Sequence, residues 1–166
     1  MLRVLSVFVL FVASFASLSS VDARPYVRLQ IEAIGVSSSI ITFPLWRDTW
    51  AIDPWEDNIG HLEATSWLDA PGNIVLAGHS RLPNGNPGIL ANLNQVGVGS
   101  ELKLSLGEEE RRYVVNEVKI VSEYDIGVIL PTSDDRITLI TCDVGSYDPA
   151  TGMYSQRLVV VANRVG

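Results

Sequence analysis

Apolar and polar residues alternate along several short stretches of this chain. The alternation is nearly perfect over residues 27–33, and a second short apolar stretch, SSIITFPL, stops at Pro44. A period of two is typical of strands with one buried face. Residues 74–77 form a continuous apolar run ended by Gly78, which is typical of a strand buried on both faces. The first half of the chain therefore predicts three strands.

Further strand-like stretches follow in the second half of the chain. SELKLSL and RRYVVNEVKIV are joined at Leu106, Gly107 and Glu108, which predicts a hairpin. RITLIT and QRLVVVANRV are the last two candidates, and the turn-rich segment CDVGSYDPATGMYS separates them. Residues 89–96 carry apolar side chains at a helix-like spacing. Residues 46–72 lack a sustained period and predict connecting structure with one short strand or turn of helix.

The number of strands indicates the fold class. Seven or eight short strands with recurring turn signals are typical of a sandwich or a small barrel. We therefore predict an all-β fold. A chain of 166 residues suffices for one domain with a substantial core and leaves little room for a second.

The N-terminal 23 residues differ in character from the rest. No charged residue occurs between Arg3 and Asp22, and the intervening residues are apolar with scattered serines. Such a stretch after a positive start is typical of a signal peptide, here cleaved after Ala23, or of an N-terminal membrane anchor. We predict that residues 1–23 have one of these roles. Residues 24–166 would then form an extracytoplasmic domain, because the positive start is retained inside.

The composition and the charge narrow the set of partners and cofactors. Hydrophobic residues make up 47% of the chain, charged residues 19%, and the formal net charge is −7. This acidic balance argues against general nucleic-acid binding, which needs a basic surface. With two histidines and one cysteine, and neither an HExxH nor a CxxC motif, the chain has no spacing typical of a metal site.

Cys142 is the single cysteine of the chain and follows the stretch RITLIT. A lone thiol in an exported protein indicates an intermolecular bond or a reactive group, although a buried structural cysteine is the alternative. His79 follows the apolar run at residues 74–77, and Arg157 opens the last strand-like stretch. If these strands are neighbours, a nucleophile, an acid or base and a cation would meet on one face. The alternative for His79 is a surface or hydrogen-bonded core histidine, and the alternative for Arg157 is a solvated or ion-paired surface charge.

The motifs around these residues resemble the signature of the sortases, a family of bacterial cell-surface cysteine transpeptidases. Gly78 and His79 follow an apolar strand, TLITC spans residues 138–142, and Arg157 lies on the following strand, in the order that the family has. The stretches PGILANLNQVGVGSELKL and DPATGMYSQR also resemble segments of the family. The likeness covers most of residues 25–165.

The resemblance implies a closed, mostly antiparallel β-barrel of about eight strands with one or two short helices. It implies that Cys142 attacks an LPxTG-like sorting signal and forms a thioester. His79 would be the general acid and base, Arg157 would bind the substrate and stabilise the oxyanion, and Thr141 would line the site. An amine from a peptidoglycan precursor or a pilin lysine would then accept the acyl group, in surface-protein anchoring or pilus assembly, without a metal or other cofactor.

Three questions stay open on the sequence. The first alternative is that the chain is a non-catalytic, exported β-barrel with a binding or structural role, which would not need Cys142, His79 or Arg157. A cysteine protease would hydrolyse the thioester instead of transferring the acyl group. In the loop at residues 121–135, finally, four apolar residues would either bind the apolar start of the sorting signal or plug the end of the barrel. They are Ile126, Val128, Ile129 and Leu130.

Overall fold

The alternating stretches of the sequence form strands that close into one barrel. The computed structural model describes residues 26–166. Its strands are β1 (Val27–Ile31), β2 (Val36–Phe43), β3 (Leu45–Trp46), β4 (Thr49–Trp50), β5 (Ile59–Leu62), β6 (Asn73–Ala77), β7 (Glu101–Leu106), β8 (Glu109–Ser122), β9 (Arg136–Cys142), β10 (Tyr147–Asp148), β11 (Met153–Tyr154) and β12 (Gln156–Val165). The barrel has the order β1, β2, β5, β6, β9, β12, β8 and β7, while β3–β4 and β10–β11 are separate two-stranded sheets.

The barrel confirms the predicted all-β fold, with a mixture of strand directions. Six of the eight neighbouring pairs are antiparallel, whereas β2 with β5 and β6 with β9 are parallel. Parallel neighbours cannot be joined by a tight turn and need a crossover connection. The predicted hairpin is formed by β7 and β8, and Gly107 at its turn has a φ of 61°, a conformation that glycine adopts without strain.

The structure defines two segments that the sequence leaves imprecise. Residues 46–72, for which the sequence predicts one short strand or turn of helix, contain the barrel strand β5, which is four residues long and buried throughout, so it shows no alternation. Residues 89–96 form turns and one 3₁₀ helix in place of an α-helix. The apolar side chains of Leu90, Leu93 and Val96 in this segment are buried in the barrel core. In place of one or two short helices, the described part of the chain contains four 3₁₀ helices: Glu32–Ile34, Leu93–Gln95, Ile126–Ile129 and Val144–Ser146.

The predicted leader at residues 1–23 lies outside the described residues. Between residues 26 and 166, no helix has the length and apolar character needed to cross a membrane.

Inward-facing side chains of the strands fill the barrel. Leu29 and Ile31 of β1 lie opposite Leu104 and Leu102 of β7, and all four are at most 2% exposed. Full burial of such a side chain contributes about 1.5–3 kcal/mol. Tyr113 is the largest fully buried residue, and burial raises the pKa of its hydroxyl to about 12. The barrel thus provides a rigid frame for the loops at its ends.

A buried amide attaches the loop after β8 to the barrel. Asn73, at the start of β6, is 3% exposed. Its Nδ2 donates to the carbonyl oxygens of Val128 at 3.0 Å and Leu130 at 3.1 Å. Its Oδ1 accepts a hydrogen bond from Thr138 Oγ1 at 2.7 Å. The side chain therefore holds the 3₁₀ helix Ile126–Ile129 against the barrel wall.

Replacing Asn73 with alanine should lower the free energy of unfolding by about 2–3 kcal/mol, because the buried hydroxyl of Thr138 and two carbonyl groups lose their partner. Urea denaturation followed by circular dichroism measures this loss. Asn116→Ala is the matched control, since the exposed Asn116 donates to Asn163 Oδ1 at 2.8 Å and its removal should cost only about 0.5 kcal/mol. Equal losses in the two variants would contradict the role of Asn73.

Candidate active site

The strand order brings Cys142, His79 and Arg157 to the same end of the barrel. β9 lies between β6 and β12. Ala77 of β6 pairs with Ile140 in parallel, so His79 and Cys142 both lie two residues beyond this pair. β12 is antiparallel to β9, and its Arg157 lies directly opposite Cys142. The structure therefore places an imidazole just beyond the end of one flanking strand and a guanidinium on the other.

Thr141 and Gly78 connect the ends of β9 and β6. Gly78 N donates to Ile140 O at 3.3 Å, and Thr141 Oγ1 donates to Gly78 O at 2.8 Å. Thr141 borders the groove beside Cys142 and is only 4% exposed. Its hydroxyl thus helps to fix the backbone between the thiol and the imidazole.

The three side chains open into one groove with a cavity of about 340 Å³. One wall is formed by the loop after β8, which contributes Ile126, Val128 and Ile129. Ile126 is 67% exposed, so this loop flanks the groove and does not plug the barrel. Leu130, the fourth apolar residue of this loop, is 51% exposed and lies outside the lining of the groove. The other apolar residues that line the groove are Trp50, Ile52, Leu62, Ala77, Val121 and Ile140.

A backbone carbonyl in the loop between β4 and β5 orients His79. The Nε2 atom of His79 lies 2.9 Å from Asp53 O. Because a carbonyl oxygen only accepts hydrogen bonds, Nε2 carries a hydrogen. In the neutral form of a histidine ring with a hydrogen on Nε2, the lone pair is on Nδ1. The loop is itself fixed, since Trp55 N donates to Asp53 Oδ1 at 2.8 Å and Ile89 N donates to Asp57 Oδ1 at 2.6 Å. The hydrogen bond to Asp53 O therefore occupies Nε2 and fixes the orientation of the ring.

Three oxygen atoms hold the guanidinium of Arg157. Its Nη1 donates to the carbonyl oxygens of Tyr154 at 2.7 Å and Gln156 at 3.0 Å. Its Nη2 donates to Glu123 Oε2 at 3.3 Å. The contributions of Glu123 and the Asp53 carbonyl to the site are not predicted by the sequence. Acidic and turn-forming loop residues are usually solvated, and nothing in their spacing links them to Arg157 or His79.

The thiol of Cys142 is free and partly buried. Burial raises its pKa, and the negative charge of Glu123 acts in the same direction, whereas the positive charge of Arg157 lowers the pKa. Burial is the largest of these effects, because it disfavours the charged thiolate. The thiol is therefore mostly protonated at neutral pH.

His61 lies on β5, and its ring is held by other residues. Its Nε2 lies 3.0 Å from both Ser66 O and Thr65 Oγ1, and its ring stacks on Trp67 at 4.2 Å between centroids. Burial lowers its pKa. These contacts define a structural histidine. Between residues 26 and 166, no group of three or more His, Cys, Asp or Glu side chains is placed to hold a metal ion.

Comparison with known proteins identifies the family of this barrel. Residues 29–165 match the sortase domain, so the chain belongs to the sortase family. Sortase A of Staphylococcus aureus is 34% identical over 95 residues, which are 56% of this chain and 45% of that protein. Sortase D of Bacillus subtilis is 28% identical over 114 residues, which are 68% of this chain and 53% of that protein. The matches thus span about half the length of these relatives.

Solved structures show the same architecture. A sortase D5 transpeptidase from Clostridium perfringens is similar with a TM-score of 0.66 and 26% identity, over 86% of this chain and 79% of that chain. Sortase C-1 from Actinomyces oris is similar with a TM-score of 0.65 and 27% identity, over 87% of this chain and 76% of that chain. The predicted resemblance to the sortases is therefore confirmed.

Replacing Arg157 with glutamine should raise the pKa of Cys142 further, because the thiolate loses the positive charge opposite it and Glu123 loses its counter-charge. The pH dependence of alkylation by iodoacetamide measures this change, with the midpoint moving to higher pH. Arg164→Gln is the matched control on the same strand, since Arg164 pairs with Asp135 at 3.0 Å. An unchanged midpoint in Arg157→Gln would show that the guanidinium does not act on the thiol.

Proposed function

We propose that this chain is a cell-surface cysteine transpeptidase. It cleaves an LPxTG-like sorting signal through a thioester on Cys142 and transfers the acyl group to an amine. The observation that carries the proposal is the placement of Cys142 between His79 and Arg157, at the same end of three adjacent strands of a sortase-family barrel. The two flanking groups have the chemistry that a thiol needs for acyl transfer.

The first half-reaction forms the thioester. The sulfur of Cys142 attacks the carbonyl carbon of the scissile Thr–Gly-like peptide bond, and the thiol proton passes to His79 Nδ1. The oxygen of the tetrahedral intermediate gains negative charge, which an N–H of Arg157 stabilises. When the C–N bond breaks, His79 returns the proton to the leaving amine. The acyl group stays on sulfur, and the amine is released with a complete set of hydrogens.

The second half-reaction transfers the acyl group. The nitrogen of the acceptor amine attacks the thioester carbonyl and loses a proton to His79, now acting as a base. The C–S bond breaks, and the sulfur of Cys142 recovers the proton. One amide bond is exchanged for another, so the chemistry requires neither a metal nor a nucleotide. A peptidoglycan precursor or a pilin lysine would provide the amine, for anchoring of surface proteins or for pilus assembly.

The shape of the groove supports a peptide substrate with an apolar start. Its volume of about 340 Å³ lies in the range of sites for small ligands, about 300–1,000 Å³. Ile126, Val128 and Ile129 would contact the Leu-Pro portion of the signal, while its threonine lies at Cys142. We place the domain outside the cytoplasm, where residues 1–23 would deliver it as a cleaved signal peptide or hold it as an anchor.

Incubation with a panel of sorting peptides, together with oligoglycine and diamine acceptors, tests the reaction by mass spectrometry. We expect a peptide–amine product and a thioester adduct on Cys142, both absent in Cys142→Ala. His79→Gln should slow transfer by about 10²–10⁴-fold, because general acid–base catalysis contributes that much. His61→Gln is the matched histidine control and should transfer in proportion to its folded fraction, measured by circular dichroism.

The same experiment separates the alternatives. A folded protein that forms neither a thioester nor a product with any peptide of the panel would favour the binding or structural module. Hydrolysed peptide in equal yield with and without amine would favour a protease. Transfer that survives in Cys142→Ala would contradict the proposed nucleophile.

A further inference from the structure

Glu123 contacts Arg157 from the loop after β8. Its backbone N–H donates to Ser155 O at 3.0 Å, which fixes it beside the start of β12. Its Oε2 lies 3.3 Å from Arg157 Nη2, and the exposed fractions of the two side chains are 19% for Glu123 and 27% for Arg157. Partly buried charges are screened by salt much less than exposed ones. The ion pair is therefore part of the groove wall and differs from an ordinary surface pair.

The carboxylate differs from the other acceptors of Arg157 in its charge. An arginine has five N–H donors, and the carbonyl oxygens of Tyr154 and Gln156 accept hydrogen bonds from Nη1. These neutral oxygens orient the guanidinium and leave its charge in place. Glu123 accepts from Nη2 and also brings a negative charge to the cation that lies opposite Cys142.

We propose that Glu123 is a positioning residue for the transfer reaction: its carboxylate fixes the Arg157 guanidinium at the groove wall and offsets the positive charge that faces Cys142. This inference rests on the proposed roles of Cys142 and Arg157. Glu123 holds the Nη2 edge of the guanidinium. Arginine has five N–H donors, and three of them serve Tyr154, Gln156 and Glu123, so donors remain for a substrate carbonyl while Glu123 holds Nη2.

The charges around the thiol determine how a change at Glu123 acts. The pKa of Cys142 is raised first by burial, lowered by Arg157 and raised by Glu123. Loss of the negative charge of Glu123 should therefore lower the pKa of the thiol. The remaining titratable groups near the thiol are unchanged by this substitution: His79, Asp125 on the groove wall and the following residue, Asp143. The carboxylate of Asp125 accepts from Gly127 N at 2.9 Å.

Glu123→Gln tests the charge at constant shape, because the amide oxygen can still accept a hydrogen bond from Arg157. We expect the midpoint of Cys142 alkylation by iodoacetamide to move to lower pH, and the rate at pH 7 to rise about threefold for each half unit of change in pKa. Glu117→Gln is the matched control on β8. It removes the same charge from an exposed residue that pairs with Lys119 at 3.1 Å, and its alkylation should equal that of the unmodified protein.

Glu123→Ala tests the positioning. It removes the acceptor as well as the charge, so Arg157 loses one of its three contacts, and the KM for the sorting peptide should rise more than in Glu123→Gln. Alkylation requires no transfer reaction, so it tests Glu123 even if the proposed function fails. An alkylation midpoint in Glu123→Gln equal to or above that of the unmodified protein would overturn the inference. Equal KM values in Glu123→Gln and Glu123→Ala would also overturn it.

Discussion

The position of β9 between a parallel and an antiparallel neighbour determines where the site forms. Parallel pairing makes β6 and β9 end together, and antiparallel pairing makes β12 begin at the same point. A strand with two antiparallel neighbours would have placed the residue after β6 at the opposite end of the barrel. Parallel pairing requires a crossover connection between β6 and β9, and this connection contains the loop after β8 that lines the groove. The meeting of His79, Cys142 and Arg157 therefore follows from strand direction.

Burial and the positive charge of Arg157 have opposite effects on the pKa of Cys142. The half-buried position raises the pKa of the thiol, while the guanidinium opposite lowers it. A thiol that is mostly protonated is protected from oxidation, since the thiolate is the reactive form. In the proposed reaction, the thiol gives its proton to a nearby base. His79 has the geometry for this proposed role, because the Asp53 carbonyl holds Nε2 and leaves Nδ1 for the proton.

Local pattern is sufficient to predict most strands, and the motifs around Gly78 and Cys142 indicate the family. Alternation predicts β1, and a short apolar stretch that stops at Pro44 predicts β2. The sequence predicts one short strand or turn of helix within residues 46–72, but it does not locate β5, because four buried residues show no period. Glu123 and the Asp53 carbonyl were missed because each reaches the site from a separate loop, through a contact that depends on the closed barrel. The contact of a backbone carbonyl in particular cannot be predicted from residue type, because every residue has such a carbonyl.

The short strand β6 connects two parts of the site: the loop that forms the apolar wall, and His79. At its start, Asn73 holds the carbonyl groups of the loop that forms the apolar wall. Beyond its end, Gly78 accepts the hydrogen bond of Thr141 and leads directly to His79. The strand is five residues long and buried throughout, so it cannot shift without disturbing the core. The barrel itself therefore sets the distance from Cys142 to the apolar wall and to His79.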